Sequence, residues 1–295
     1  MSRAEVLLPA GAQLGEGPLW DERSGDIVWV DILAKQVIRT NMANPDRRDF
    51  MCGESVGSLA LTATGGLVGA TPTGLRRLDM DEAPYVGRFP VPRPDLRSND
   101  GKAAPGGRFV VGTMSAETPA ASESVPVEGC GSLWSFGGKD PSVLVDSTTI
   151  SNGLAWSADG RVMFHIDTPT RRIMAYDYDP NDGTISAPRL RFEVEAEAGA
   201  PDGMCIDAEG GLWVALWGGS AVRRYMDGVL DEIVEVPTPL VTCPAFVGAD
   251  LTTLVITSAA EGLSGMGGAG HVYVCTPDVK GAAVPSLGPW ADTWA

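Results

Sequence analysis

The chain has 295 residues, 44% of them hydrophobic, enough for one large core. Its 38 acidic and 22 basic side chains give a net charge of −16, and no Lys/Arg run exceeds two, which argues against the basic patch of a nucleic-acid binder. No stretch approaches the roughly 18 apolar residues of a membrane span, and Pro9 breaks the short apolar run of MSRAEVLLPAGAQ. Five scattered cysteines form no C-x-x-C, so the expectation is a cytoplasmic protein with reduced thiols, no leader and no membrane contact.

The first strand-like piece is AEVLLPA (4–10). Then a unit recurs: an apolar run, a turn rich in Gly, Asp or Ala, and a second apolar run. It is seen at 17–30 (GPLWDERSGDIVWV), 58–68 (SLALTATGGLV), 100–111 (DGKAAPGGRFVV), 152–164 (NGLAWSADGRVMF), 202–214 (DGMCIDAEGGLWV) and 244–256 (PAFVGADLTTLVI). A further strand-like piece follows each copy: QVIRTN, GLRRLD, GSLWSF, RIMAYDYD, AVRRYM and HVYVCT. Between the third copy and its follower lies 114–130, MSAETPAASESVPVEGC, a polar loop placed to serve as a lid over a channel mouth.

Six β-units about 40–55 residues apart, with no sustained helical period, predict an all-β fold. The architecture expected is a six-bladed β-propeller, one domain over 1–295, with AEVLLPA lending a strand to the last blade to close the ring. The first strand of every blade lines the central axis, so the residues just before it converge at one mouth. That slot reads Glu16, Ser58, Asn99, Asn152, Asp202, and Thr242 or Cys243. Taken singly, the N-G and D-G pairs are ordinary turn dipeptides; at one fixed register they predict a cluster of oxygen ligands.

Other motifs carry less. Gly53–Gly57 matches G-x-S-x-G, but a strand rather than a helix follows. Gly265–Gly270 matches G-x-G-x-x-G, again before a strand-like run, HVYVCT. His165 lies in a strand-like run and reads as a packing or pocket-wall residue, and two histidines with scattered cysteines make no zinc site.

The motifs LGEGP (14–18), RSNDGK (97–102), GTM (112–114), SNGLAWS (151–157) and PDGM (201–204) resemble the marks of the gluconolactonase and regucalcin family, over about residues 14 to 275. The resemblance implies a six-bladed propeller with one divalent metal at one mouth of the channel, and usually a sugar-lactone hydrolase. By the same resemblance Glu16, Asn152 and Asp202 match the metal ligands, and Arg97, Asn99 and Glu117 the substrate-binding positions. Ser98 stands where many members carry an aromatic residue, and KAAPG (102–106) lacks an acid that some carry, so the sugar is not named by the resemblance.

Two carboxylates and a carboxamide are hard oxygen ligands suited to Ca²⁺, Mg²⁺ or Mn²⁺, and Zn²⁺ or Fe²⁺ also fit. An open divalent site polarises a lactone carbonyl and stabilises the oxyanion formed as water attacks. Asp202 is the candidate to activate that water. The reading is a metal-dependent aldonolactonase of carbohydrate catabolism acting on a small sugar lactone. The alternatives are a calcium-binding regulatory protein of the regucalcin type without turnover, and a related propeller esterase or phosphotriesterase. The oligomeric state is not legible.

Overall fold

Apolar runs that alternate with Gly- and Asp-rich turns fold here into antiparallel sheets. The structure, a computed structural model, describes residues 2–117, 126–137, 140–263 and 265–293. Blade 1 is built from strands Gly15–Asp21, Asp26–Asp31, Gln36–Asn41 and Arg48–Met51. Blade 2 is Ser58–Leu61, Leu67–Thr71, Gly74–Arg77 and Tyr85–Arg88; blade 3 is Leu96–Ala104, Arg108–Ser115, Gly131–Phe136 and Ser142–Thr148. Blade 4 is Ser151–Trp156, Val162–Asp167, Arg172–Tyr178 and Ile185–Glu193; blade 5 is Ala200–Ile206, Leu212–Trp217, Ala221–Met226 and Val229–Glu235. Blade 6 has Val241–Val247, Thr253–Ser258 and Val272–Cys275.

The first strand of each blade touches the first strand of the next, and that of blade 6 touches that of blade 1, so the six sheets close a ring. The six-bladed propeller expected from the repeat is the fold observed. Closure uses the N-terminal piece as expected: Glu5–Leu8 pairs antiparallel with Val272–Cys275 as the fourth strand of blade 6. One strand was not foreseen, Ser2–Arg3, which pairs parallel with Val229–Glu235 as a fifth strand of blade 5.

The strands become wetter outward. Asp26–Asp31 is buried throughout, while Arg48–Met51 of the same blade is exposed throughout. Six apolar clusters fill the spaces between neighbouring sheets; the one between blades 4 and 5 joins Phe164, Ile166 and Ile173 to Leu212, Val214 and Leu216. Trp29, Phe109, Trp213 and Tyr273 are the bulkiest fully buried side chains. With roughly 1.5–3 kcal/mol per buried large side chain, these faces hold the ring shut. The inner strands are thereby fixed at both ends, and their starts are held around the mouth.

Candidate active site at the channel mouth

Five of the six inner strands break register as they leave the mouth. Glu16 pairs with Val30 but Leu19 with Val28; Ser98 pairs with Thr113 but Gly101 with Val111. The same single extra residue occurs at Asn152/Leu154, Pro201/Met204 and Val241/Pro244. Such bulges re-aim side chains at the rims of closed sheets. Blade 2, with Ser58 opposite Ala70, runs without a break.

The bulges place Asn99, Asn152, Asp202 and Thr242 at one position, two residues before the next paired residue. In blades 3 to 6 the expected slot is one structural position, with Thr242 rather than Cys243 in it, whereas Glu16, three residues before Leu19, lies one residue off that register and Ser58 belongs to a strand without the bulge. Thr242 faces elsewhere, its hydroxyl donating to Gly15 O at 2.6 Å and accepting from Thr257 Oγ1 at 2.8 Å. The glycines after Asn152 and Asp202 are not turn residues. A Cβ on Gly153 would lie 2.8 Å from Asp202 O, and one on Gly203 would lie 2.5 Å from Cys243 Sγ. The motifs N-G and D-G thus mark close approach of neighbouring blades.

Carboxylate clasps hold the strand entries. Asp31 accepts from Gln13 N and Leu14 N at 2.8 and 3.1 Å, just before Glu16. Asp167 accepts from Ile150 N at 2.8 Å, just before Asn152. Asn152 Nδ2 donates to Thr168 Oγ1 at 2.8 Å, which donates to Pro201 O at 2.8 Å, tying blade 4 to the strand of Asp202.

Glu16, Arg97, Asn99, Asn152 and Asp202 are all buried together at the mouth, between 5% and 8% exposed. Arg97 Nη1 donates to Asn99 Oδ1 at 2.8 Å and to Ser98 O at 3.0 Å. Asn99 Nδ2 donates to Asn152 Oδ1 at 2.8 Å and to Ser151 O at 3.0 Å. Ser151 Oγ meets His165 Nε2 at 2.8 Å, and burial pushes His165 down to about 4, so the ring is neutral near pH 7. Glu117 differs in burial: it is exposed at the start of the loop after Ser115, and its backbone N–H donates to Ser115 Oγ at 3.2 Å. Part of the proposed lid, 118–125, lies outside the described residues.

The acids of the cluster lack compensation. Burial first, then the charges of Asp202 and Asp100, push Glu16 well above the usual carboxylate range; Gly17 N–H and Arg97 oppose this. Burial and then Asp100 push Asp202 up likewise, against Arg97 and a hydrogen bond from Asn152. Burial lowers Arg97 to about 10, opposed by Glu16, Glu261 and Asp202, so it stays charged near neutrality. Among the described residues no Lys, Arg or His comes within ion-pair distance of Glu16, Asp100 or Asp202.

The donors suit a divalent cation. Glu16 and Asp202 supply two negative charges, and Asn152 Oδ1 keeps a lone pair beside the one Asn99 engages. Among the described residues no three His, Cys, Asp or Glu side chains form a metal cage, so the set depends on the amide. Sequence reasoning missed Asp100, Glu261 and Thr168. Asp100 adjoins Asn99 in sequence but is placed by the pairing register, and Glu261 and Thr168 reach the site only because the ring folds. Cavities of about 500 and about 680 Å³ lie on the hairpin-turn side, sharing Pro18, Lys102 and Phe246. Asp100 borders the smaller one; Glu16, Arg97, Asn99, Asn152 and Asp202 line neither.

Comparison with known proteins points the same way. The family described as SMP-30/Gluconolactonase/LRE-like region matches residues 14–260. Regucalcin of Xenopus laevis is 35% identical over 267 residues, covering 88% of each chain. The YvrE protein of Bacillus subtilis (strain 168), whose name proposes a sugar lactone lactonase, is 37% identical over 255 residues, covering 85% of each. The crystal structure of a calcium-binding regucalcin from Agrobacterium tumefaciens superposes with a TM-score of 0.89 at 28% identity, covering 97% of both chains.

Proposed function

Because the chain belongs to the SMP-30/gluconolactonase/LRE-like family, we propose that it hydrolyses a small sugar lactone to the aldonic acid, at the mouth cluster, with one divalent cation held by Glu16, Asn152 and Asp202. The observation that carries this reading is the pair of buried, uncompensated carboxylates, Glu16 and Asp202, flanked by amides and one guanidinium. Such acids in a protein interior call for a positive partner.

When bound, the cation supplies a Lewis acid for the lactone carbonyl. Asp202 takes the proton of the attacking water, and the ring oxygen released by C–O cleavage regains a proton. Arg97 lies pinned through Ser98 O and Asn99 Oδ1, so its remaining N–H groups present a fixed donor set to sugar hydroxyls. Asn99 spends both amide hydrogens on Ser151 and Asn152, leaving one lone pair on Oδ1 for a hydroxyl. Glu117 completes the hydroxyl-binding set from the loop side. A site of this polarity rejects analogues lacking the hydroxyls it pairs. We place this activity in the cytoplasm; the five cysteines are unpaired, and among the described residues no helix is long and apolar enough to cross a membrane.

Asp202→Ala removes a ligand and the water-activating group together. Metal content by elemental analysis and acid release from glucono-δ-lactone should both be lost. Asn152→Ala should weaken the cation without removing a charge. Wild-type metal content in both variants would contradict the ligand set. The second reading, a calcium-binding protein without turnover, draws support from the relatives named regucalcin. It predicts Ca²⁺ binding with no acid release from any aldonolactone above the spontaneous rate.

A further inference from the structure

We infer that Asp100 supplies a third negative charge to the cation site, standing behind the ligands on the floor of the mouth and acting by charge rather than by contact. The inference rests on Glu16, Asn152 and Asp202 being the ligands.

The pairing register carries it. One residue past Asn99, Asp100 takes the position that Gly153 and Gly203 fill in the next two blades. In those blades a side chain there would collide with the neighbouring strand. Blade 3 puts a carboxylate in that layer, only 4% exposed, between the cluster and the cavity beneath. One carboxylate oxygen is accounted for, since Oδ1 accepts from Gly101 N at 2.7 Å. The other oxygen, Oδ2, is sealed from solvent and has no hydrogen-bond partner. One residue on, Ser58 Oγ, which lies 2.5 Å from where a Gly101 Cβ would be, is also buried and unpartnered. Lys102, two residues on, donates to Met204 O at 2.5 Å and forms no ion pair with Asp100.

A buried carboxylate oxygen without a donor is costly unless a positive charge faces it. The charge of Asp100 is felt by both Glu16 and Asp202, so all three acids would look onto one cation. An asparagine would serve Gly101 equally well, so the turn does not explain the acid. Ionised Glu16, Asp100, Asp202 and Glu261 against Arg97 and Lys102 leave two negative charges, the count that one divalent ion neutralises.

The test is Asp100→Asn, which keeps shape and the Oδ1 acceptor and removes only the charge. Calcium affinity is read by calorimetry and Mn²⁺ affinity by paramagnetic resonance, and the melting temperature is read in EDTA. Groups that support ligands from behind typically change metal affinity about 10- to 100-fold. The expected result is a Kd raised about tenfold or more, together with a higher melting temperature in EDTA, since like-charge repulsion has been removed. Asp100→Ser reads the same two quantities should the Asn variant fold poorly. Unchanged Kd and melting temperature would overturn the role of Asp100 while leaving the ligands standing. A wild-type protein that binds neither Ca²⁺ nor Mn²⁺ would overturn the ligand set, and this inference with it.

Discussion

Two regions of the ring bury acids, and they do so in opposite ways. In blade 5, Asp207 is 1% exposed and accepts from Gly211 N, Trp213 Nε1 and Arg224 Nε at 2.7–2.8 Å. Burial pushes its carboxyl up, but Arg224 and the other donors outweigh this and hold it below its ordinary value. At the mouth, Glu16 and Asp202 are also buried, at 6% and 7% exposed, feel one another's charge and that of Asp100, and are pushed up. The same fold can complete a buried carboxylate from its own side chains, and that it leaves acids incomplete at the mouth supports the proposal that a ligand completes them there.

Substitutions separate the two regions sharply. Asp207→Ala leaves Gly211 N–H, the Trp213 indole and Arg224 Nε without their acceptor, although Arg224 keeps Glu209 and Asp231, and each stranded buried donor costs about 1–3 kcal/mol. Chemical denaturation should show that loss, while metal content per folded molecule stays at the wild-type level. Asp202→Asn should behave in reverse: metal content falls, and stability in EDTA holds or rises. A mouth acid as stabilising as Asp207 would erase the contrast.

His165 is a third case, a titratable group buried without charge beside Ser151. Its folded value of about 4 lies below the ordinary 6.5, so the unfolded chain binds more protons between the two. The stability it contributes is present above pH 6.5 and is lost as pH falls towards 4, to an extent of about 3 kcal/mol. His165→Gln should flatten that part of the stability profile. An unchanged slope would show that His165 is not held neutral.

Much of this was legible beforehand and some was not. The repeat, the closing strand and the slot holding Asn99, Asn152 and Asp202 follow from turn chemistry and apolar patterning, which are local; Glu16 lies one residue off that register. Thr242 and Cys243 could not be separated, because a bulge is defined by its partner strand and leaves no mark on its own sequence. Asp100 escaped for the same reason: only the register shows that it shares a layer with two glycines. Glu261 escaped because it comes from the far end of the chain and meets Arg97 only through ring closure. Glu117 is matched to a motif position, and in the structure it is exposed at the loop start.

The smallest expected effect concerns Asn99, which joins Arg97 to Asn152. Asn99→Ala should leave metal content near wild type and lower kcat/KM about three- to thirtyfold, the worth of roughly one hydrogen bond with a stranded partner. Loss of metal instead would move Asn99 among the ligands.

The central claim is that Glu16 and Asp202 are kept incomplete for a divalent cation, and thermal unfolding across pH tests it most directly. Without metal, a raised carboxyl stabilises the folded state fully below about pH 4 and loses that effect as pH rises through its folded value, so in EDTA stability should increase on acidification from pH 8 to about 6.5, above the range in which His165 acts in the opposite sense. With Ca²⁺ or Mn²⁺ present, melting should shift upward near pH 8, and the shift should shrink as pH falls, because protons and the cation compete for the same oxygens. A melting temperature indifferent to every divalent ion at pH 8, or a shift that does not change with pH, would contradict the account.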